Sequence, residues 1–597
     1  MIVAQEMEHL HKLAERYPDK RFTNLWGPMT SEAWLTQAWE EIRRNKGSYT
    51  AGIDGHTAAN VTPESIGQLS QELRAHRYRP TPVRRTHIPK TNGKRRPLGI
   101  ATIEDRLVQQ ALRMMLEPIF EADFLPCSHG FRQGHSPHTA LRDVVRRFGR
   151  VSWTIEGDIV GCFDNIPHDG LMHAVKRRIA DQEVLTLVKR FLKAGYMEDW
   201  QYHQTYSGTP QGGIVSPLLC NAFLHQLDEY MMQDLDANRA QTKQESDQRT
   251  NPAYRKIANA ISKCRRRLRG NPVRTERRHL IDKLQELEKE LRQTPVYDKR
   301  HKTKLGYVRY ADDWLILVNG TREEAEATRE QVKQFLEGIG LELSAEKTKL
   351  THWDEKVLFL GYNIQGKLKT RGNQLHAILS IPSERERRIR RETLRIARYH
   401  HIPELDAMLS INAMYRGWCN YYRYANAPQK IFNRVGQKVW WYYAHFLARR
   451  GRMSMRQMLI RARKAGRFKV VGKEGRQRQT FTMQSGKKEY CLNIFPPRTR
   501  SIHQVVDKDW KVDLKPVNIQ TWQSGHSAQT TLTALNRSEG LCERCGANPA
   551  QGAHHKVRMK SKKTLRAKVQ SDKDQRERAQ ALCKECHLES HHGAWRA

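Results

Sequence analysis

Three aspartates follow or separate apolar segments in a way that suits metal-dependent chemistry. Asp158 comes shortly after the run Val151–Ile155, and Asp312 and Asp313 precede the run Trp314–Val318, so this pair lies at the tip of a predicted β-hairpin. Abutting carboxylates repel one another unless a cation lies between them. Two divalent metals about 3.5–4 Å apart can activate an attacking oxygen and neutralise a leaving phosphate. Asp158 alone could be a turn or cap residue, but the three together predict a Mg²⁺ site for nucleotidyl transfer.

A second set of residues has the spacing of a zinc site. The chain contains two Cys-x-x-Cys pairs, which are Cys542, Cys545, Cys583 and Cys586. Four thiolates at this spacing predict a closed, tetrahedral structural Zn²⁺ site, which would supply folding energy to a unit with little core of its own. Four unrelated core cysteines are the alternative, but that requires the same spacing twice by chance. The other six cysteines stand singly and are predicted to be reduced thiols.

The charge balance of the whole chain indicates a polyanionic partner. Its 597 residues carry 104 Lys and Arg against 64 Asp and Glu, a net charge of +40 that suits nucleic acid. A membrane is disfavoured, because the sequence has no run of about 18 apolar residues and no lipidation motif. Residues 1–20 lack the apolar core of a secretory signal, so a cytoplasmic, nucleic-acid-associated protein is expected.

The length exceeds what one hydrophobic core supports, so a multidomain protein is expected. Helical stretches alternate with short apolar runs as far as about residue 380, which predicts an α+β region. Within it, residues 233–304 are strongly charged and are interpreted as an insertion. Because one helix would carry an apolar stripe, a helical hairpin packed on the main body is predicted there. Direct RNA contact is the alternative. The stripe consists of Leu280, Leu284, Leu287 and Leu291.

The sequence around the three aspartates resembles the palm of reverse transcriptases, and further blocks follow in that family's order. They are Arg96–Ile100 with Asp105 and Arg106, His129–Arg132, Gly208–Gly213 with Ser216 and Pro217, Gly340–Ser344 with Lys347 and Thr348, and Phe359–Tyr362. The resemblance implies a right-hand polymerase, with fingers and palm, that uses Mg²⁺ and deoxynucleotides.

Four roles at the nucleotide site are implied by this resemblance. Lys90 and Arg96 match the fingers cations that hold the triphosphate, although both could be solvated loop cations. Phe163 matches the steric gate that excludes a ribose 2′-OH, and judged alone it would be a core residue. Gln211 belongs to the block that aligns the template, where glycine leaves room for close approach to a base pair. Lys347 matches the lysine that protonates the leaving pyrophosphate, although by itself it would be taken for a surface residue.

Two further segments resemble group II intron-encoded proteins in particular. Ala51–Gly55 resembles their N-terminal extension block, and Ile411–Arg423 resembles their maturase domain, which is also the α-helical polymerase thumb. Most of its aromatic side chains are expected to be helix core, and some could stack on bases. Arginines are the expected RNA contacts, because contiguous like charge costs stability unless a polyanion offsets it. These are Arg387, Arg388, Arg390, Arg391, Arg395, Arg398 and Arg416.

The C-terminal Cys/His-rich unit resembles the small ββα-type HNH endonuclease domain of the same proteins. By position, His555 would be the general base that activates water, and His554, His587 and His591 would hold a catalytic cation, expected to be Mg²⁺. The Asn expected shortly before the second cysteine pair is absent from Arg578–Leu582. A DNA-binding zinc module without nicking activity is therefore the alternative to an active nuclease.

The predicted domain order is reverse transcriptase fingers and palm in 1–380, maturase or thumb in 381–450, a basic DNA-binding segment in 451–535 and the HNH unit in 536–597. The resemblance implies the ribonucleoprotein of a mobile element from a bacterial or organellar intron. The protein would bind its unspliced intron RNA, assist splicing, stay on the excised lariat, nick a target DNA and copy the intron from that end. The alternatives are a splicing cofactor with an inactive polymerase, a defence, retron or diversity-generating reverse transcriptase, and a stand-alone homing nuclease.

Overall fold

The computed structural model describes residues 2–89, 95–198, 201–205, 207–208, 212–238, 251–270, 273–294, 304–344, 348–368, 375–399, 402–471, 478–485, 488–517, 552–555 and 579–582. The α-helices of these ranges are Ile2–Arg16, Trp26–Met29, Glu32–Ile42, Pro63–Arg74, Ile103–Glu121, Pro137–Arg147, Cys162–Asn165, His168–Lys176, Gln182–Lys193, Ser216–Glu229, Pro252–Arg269, Arg274–Gln293, Arg322–Gly338, Ser383–Arg398, Glu404–Tyr422, Gln429–Arg450 and Met455–Lys464. Short 3₁₀ turns occur at Lys46–Tyr49, Ala58–Asn60, Phe148–Arg150 and Ile502–Gln504, and a π-helical turn at Tyr230–Asp234.

The strands of the described residues form five sheets. They are β1 (Val83–Pro89), β2 (Arg95–Ile100), β3 (Trp153–Asp158), β4 (Tyr196–Glu198), β5 (Gln201–His203), β6 (Lys304–Tyr310), β7 (Asp313–Asn319), β8 (Lys349–His352), β9 (Val357–Phe359), β10 (Tyr362–Leu368), β11 (Leu375–Ser380), β12 (Phe468–Val471), β13 (Arg478–Ser485), β14 (Lys488–Cys491), β15 (Gly552–His555) and β16 (Ala579–Leu582). The sheet orders are β2-β1-β4-β5, β6-β7-β3-β8, β11-β10-β9, β12-β13-β14 and β15-β16.

The palm sheet, β6-β7-β3-β8, is covered by packed side chains on both faces. In β7, Trp314, Ile316 and Val318 belong to one core cluster, whereas Leu315 and Leu317 belong to the other. A strand that is buried on both faces needs apolar residues at every position rather than at alternate ones. This requirement explains the continuous apolar run after the Asp312-Asp313 pair.

The first core cluster joins the N-terminal helices to the fingers and to one face of the palm. Two arginines hold the segment that leads into the N-terminal extension block by hydrogen bonds to its backbone carbonyls. Arg106 donates to Gly47 O at 2.7 Å and also to Thr50 O. Arg84 donates to Ala51 O at 2.8 Å. The start of the block and the residues before it are therefore fixed to the strand β1 and to the helix Ile103–Glu121.

The insertion contains the predicted pair of helices, Pro252–Arg269 and Arg274–Gln293. Tyr254, Ile257 and Ile261 of the first helix belong to the second core cluster together with Leu291 of the other helix. The leucine stripe thus faces the second core cluster, which confirms the prediction that the helical hairpin packs on the main body. Direct RNA contact by the outer face remains a prediction.

The second core cluster connects the palm to the three-stranded sheet β9–β11 and to the maturase helices. Residues 495–517, called the return segment here, then run back from the maturase helices to the N-terminal helices. Trp510 packs on His11 with ring centroids 4.3 Å apart, and Lys515 N donates to Glu41 Oε1 at 2.6 Å. In the ranges given above, no helix combines the length and the apolarity that a bilayer crossing requires.

Candidate functional site

Strand pairing brings the three predicted carboxylates to one end of the palm sheet. Asp158, the last residue of β3, is directly opposite Asp313, the first residue of β7. Tyr310 pairs with Asp313, so Ala311 and Asp312 form the two-residue turn of the β6–β7 hairpin. The predicted hairpin with acids at its tip is therefore present. Asp158 and Asp312 are half-buried and Asp313 is exposed, so this cluster of hard oxygen donors is open to solvent on one side.

The register at this end of the sheet depends on Gly157. A Cβ atom at position 157 would lie 2.0 Å from the Trp314 indole, a separation that side chains do not tolerate. Trp314 is 1% exposed and belongs to the core, so it has no alternative position without repacking. Glycine therefore allows the indole to cover β3 one residue before Asp158.

The turn that carries Asp312 has an unusual backbone conformation. Ala311 has φ 58°, a left-handed value that costs a non-glycine residue roughly 1 kcal/mol or more. Arg309 Nη1 donates to Ala311 O at 3.0 Å and thereby holds this conformation. On the other side lies Gly130, where a Cβ would be 2.3 Å from Ala311 N. The turn is therefore clamped between the Arg309 side chain and the His129–Arg132 loop.

Arg309 belongs to a fully buried network that was not predicted from the sequence. Its guanidinium donates to both Asp228 oxygens, at 2.7 Å and 2.5 Å, and to Asn221 Oδ1 at 3.0 Å. Tyr307 Oη also donates to Asp228, at 3.0 Å. Burial alone lowers the pKa of Arg309, but the Asp228 carboxylate outweighs burial and raises that pKa above its usual value. The signal in the sequence is an arginine within the otherwise apolar segment that precedes the acidic turn.

Glu156 adds a fourth carboxyl group to the same end of the sheet. Burial raises the pKa of Glu156 to about 7, and Asp313 and Asp158 act in the same direction, whereas Lys349 opposes them. The shift therefore reports mainly the burial of this carboxyl group, with a smaller part from the neighbouring aspartates. Carboxylates crowded at one edge suit divalent cations with hard oxygen ligands.

Two of the predicted nucleotide-site residues, Phe163 and Arg96, lie within the described residues. Phe163 is half-buried in the helix Cys162–Asn165, and its ring meets Phe131 edge to face at 6.3 Å. Gly208 has φ 82° and packs on the same segment, since a Cβ there would be 2.5 Å from Phe163 O. Arg96 is exposed on β2. The remaining three predicted residues, Lys90, Gln211 and Lys347, lie outside the described residues.

The block Phe359–Tyr362 is bonded directly to the maturase helix Glu404–Tyr422. Leu360 and Gly361 form a tight turn with φ 46° and 75°. Tyr421 Oη donates to Leu360 O at 2.6 Å, and Tyr422 Oη donates to Gly361 O at 3.0 Å. The sequence analysis predicted the aromatic residues of this helix as core or as rings that stack on bases, and the structure adds hydrogen bonds from these two tyrosines to the block. An aromatic pair at the end of an otherwise amphipathic helix is the available sequence signal.

The predicted RNA-binding arginines lie on exposed faces of the maturase helices. Ser383–Arg398 buries Ile389, Thr393 and Ala397 and leaves its arginines outside. Some of these arginines pair with glutamates of the same helix, such as Arg391 with Glu384 at 2.8 Å. Such exposed pairs are weak, so the face can exchange them for phosphate contacts. The exposed predicted residues are Arg387, Arg388, Arg391, Arg395, Arg398 and Arg416, and Arg390 is half-buried.

Only two strands of the C-terminal unit are described. β15 pairs antiparallel with β16 so that His554 is opposite Gln580 and His555 opposite Ala579. Cys583 follows β16 directly in the sequence. The predicted ligands Cys542, Cys545, Cys583, Cys586, His587 and His591 lie outside the described residues.

Comparison with known protein families agrees with this geometry. Residues 88–242 and 282–364 match the family model "Reverse transcriptase (RNA-dependent DNA polymerase)", which covers the fingers and the acidic end of the palm. Residues 385–463 match the model "Group II intron, maturase-specific domain". The class of the protein is therefore a reverse transcriptase with a maturase domain.

Similarity to individual proteins identifies the family within this class. The group II intron-encoded protein LtrA of Lactococcus lactis subsp. cremoris is 38% identical over 446 residues, which are 70% of this chain and 74% of that protein. An uncharacterized 91 kDa protein in the cob intron of Schizosaccharomyces pombe is 29% identical over 99% of this chain and 72% of its own length. Protein YkfC of Escherichia coli is 34% identical over 65% of this chain and 94% of its own length. The chain belongs to the group II intron-encoded protein family.

Membership of this family establishes the main activities. The protein is an RNA-directed DNA polymerase, and its maturase domain binds group II intron RNA. The reverse transcriptase domain works with a divalent metal ion, for which the acidic end of the palm offers suitable ligands.

Proposed function

We propose that Asp158, Asp312 and Asp313 hold two Mg²⁺ ions for DNA synthesis on an RNA template. The observation that supports this is the register of Asp158 opposite Asp313, next to the turn that carries Asp312. These carboxylates would hold the ions, whose charge would serve to activate the primer 3′-oxygen and to neutralise the triphosphate. The protein's own contribution is to keep the carboxylates at fixed positions, which the clamped turn achieves.

The nucleotide would bind between the fingers and this acidic end. Arg96 and Lys90 would hold the triphosphate, Gln211 would contact the templating pair, and Lys347 would protonate the pyrophosphate. Phe163 would exclude ribonucleotides, a role supported by its half-buried ring beside Phe131. Phe163→Ala should therefore increase ribonucleotide incorporation relative to deoxynucleotide incorporation, with polymerisation retained.

The decisive test compares primer extension by wild type and the Asp312→Asn/Asp313→Asn variant on an RNA template with Mg²⁺. Asparagine keeps the shape and removes the charge, so synthesis should fall by at least about 1000-fold. Asp282→Asn is the matched control, since Asp282 is exposed on the insertion helix Arg274–Gln293. Full synthesis by the double variant would refute the assignment, and equal intron RNA binding by both proteins excludes misfolding as the cause of a loss.

We further propose that the C-terminal unit is a Zn²⁺-bound HNH nuclease that nicks target DNA and so provides the primer for copying the intron. The four cysteines would bind structural zinc, and His555 would activate water beside a cation held by His554, His587 and His591. The pairing of β15 with β16, which brings the two histidines beside the strand leading to Cys583, supports this assignment. Residues 451–535 would bind the DNA.

The nuclease proposal has its own test. His555→Ala should abolish nicking of a target duplex by the ribonucleoprotein while primer extension on a separate template stays unchanged. Gln580→Ala, on the opposite strand of the pair, is the control. Nicking by His555→Ala at the wild-type rate would eliminate His555 as the general base, and absence of nicking by the wild type would leave a DNA-binding zinc module.

A further inference from the structure

Two histidines and an aspartate meet at a point outside the polymerase site. His129 belongs to the loop that clamps the acidic turn, His135 follows this loop, and Asp507 comes from the return segment. His129 Nδ1 lies 3.2 Å from His135 Nδ1, which in turn lies 3.6 Å from Asp507 Oδ1. A ligand atom from each of the three residues lies within 4.8 Å of the others.

Hydrogen bonds satisfy this cluster only in part. His129 is completely buried, and its Nδ1 lies 3.2 Å from His135 Nδ1 and 2.9 Å from Thr139 Oγ1, whose own hydroxyl donates to Ser136 O. Among the described residues, His129 Nε2 is buried without a hydrogen-bond partner. Within the described part of the chain, Asp507 Oδ1 is buried and has no hydrogen-bond partner. A buried polar atom left in this state normally signals an ion or a water.

The distance between the two ring nitrogens also fits tetrahedral coordination of one cation. Zinc binds imidazole nitrogen at about 2.0–2.1 Å, so two tetrahedral ligands stand about 3.3 Å apart. Coordination by His129 Nδ1 would leave the ring proton on Nε2, which lies 3.5 Å from Asp143 Oδ2. Histidine ligands of metals usually direct their second nitrogen to a carboxylate in this way.

The surrounding charges are compatible with a divalent ion. Arg142 bridges the two carboxylates, since it donates to Asp143 Oδ1 at 2.7 Å and contacts Asp507 Oδ2, which leaves Asp507 Oδ1 on the side of His135. Arg132, the other nearby cation, is paired with Glu121 at 2.7 Å.

The site is also structurally constrained. A water would complete a four-coordinate shell around a cation bound there. The return segment passes so close to the loop that a Cβ at position 134 would lie 2.1 Å from Lys508 O. A cation here would fasten the return segment to the loop whose Gly130 supports the acidic turn.

We propose that His129, His135 and Asp507 form a binding site for a borderline transition-metal cation, best suited to Zn²⁺, that attaches the return segment to the fingers. Two imidazoles and one carboxylate are the ligand chemistry that zinc accepts and that Mg²⁺ does not prefer. The site shares no residue with the proposed four-cysteine zinc site or with the proposed polymerase metal site.

The test measures metal content and ligand type in the full-length protein. Zinc per chain is determined by mass spectrometry for wild type, His135→Gln, Asp507→Asn and a control, His9→Gln, whose histidine is exposed on the first helix. Each protein is then stripped of metal and titrated with Co²⁺, because cobalt bound to thiolates shows a charge-transfer band that cobalt bound only by nitrogen and oxygen lacks.

Both site variants are expected to hold one zinc fewer than wild type and His9→Gln. They should also lose the d–d absorption of the cobalt that is bound only by nitrogen and oxygen. The absorption of cobalt bound to thiolates, including its charge-transfer band, should be unchanged. Equal zinc content and equal cobalt spectra in all four proteins would overturn the proposal. If His135→Gln fails to fold, Asp507→Asn decides the outcome alone, since Asp507 is partly exposed.

Discussion

Arg309 forms a fully buried, bidentate ion pair with Asp228, and the same guanidinium holds the carbonyl of Ala311 in the acidic turn. Both side chains are 0% exposed. A buried pair of this kind adds little stability over an apolar pair, but removing one partner leaves an uncompensated charge in the core. The pair therefore links the stability of the palm to the position of Asp312.

The first prediction concerns this pair. Asp228→Asn should destabilise the palm by about 3–5 kcal/mol, because the Arg309 charge stays buried without its partner. The thermal unfolding midpoint should fall, and primer extension should be lost because the turn is no longer held. Glu326→Gln is the control, since its exposed pair with Arg322 contributes at most about 1 kcal/mol. Equal midpoints for Asp228→Asn and wild type would contradict the argument.

A second prediction follows from the close approach of Gly130 to the acidic turn. Gly130→Ala would bring a Cβ to 2.3 Å from Ala311 N, so the turn must shift and the carboxylates must move with it. We expect a loss of primer extension of at least about tenfold, which corresponds to roughly 1.4 kcal/mol, with intron RNA binding retained. Gly338→Ala, which meets nothing within 4 Å, should behave as wild type. Full activity of Gly130→Ala would show that the turn tolerates displacement.

A third prediction concerns acid stability. Hydrogen bonds from Arg177, at 2.7 Å to each oxygen, lower the pKa of Glu229 to about 2, with His225 assisting and burial opposing. A lowered carboxyl pKa stabilises the fold above the ordinary value of 4.5, and this contribution disappears as the pH falls from there to about 2. The difference in thermal midpoint between wild type and Glu229→Gln should therefore be present at pH 7. It should disappear as the pH falls through that range. The corresponding difference in the free energy of unfolding at pH 7 should be small, about 1 kcal/mol or less, because the Arg177 side chain is half-exposed. A difference that is independent of pH would refute the linkage.

Local patterns in the sequence were sufficient to predict the elements that carry the polymerase carboxylates. An apolar run of strand length before Asp158 and another after Asp313 predict two strands, and two acids between strands predict a turn. The same reasoning predicted the helix with the leucine stripe, because a period of 3–4 residues is visible within one segment.

Contacts between distant segments could not be predicted in this way. Asp228 and Arg309 are 81 positions apart, and the whole insertion lies between them. Asp507 contacts Arg142 across 365 positions, and neither residue stands out in its own segment. A buried ion pair and a shared cation site are properties of tertiary packing, so no local periodicity reports them.

The last prediction concerns the contact between the maturase helix and the block Phe359–Tyr362. The double variant Tyr421→Phe/Tyr422→Phe keeps both rings but removes the hydroxyl donors to Leu360 O and Gly361 O. Two lost hydrogen bonds weaken the contact by roughly 1–3 kcal/mol, so the thumb should release the primer more often. We expect shorter products in a single-encounter extension assay with a trap, at unchanged affinity for intron RNA. Tyr399→Phe, at a tyrosine that is 53% exposed, is the control. Wild-type product lengths from the double variant would mean that the aromatic packing alone holds the thumb to the palm.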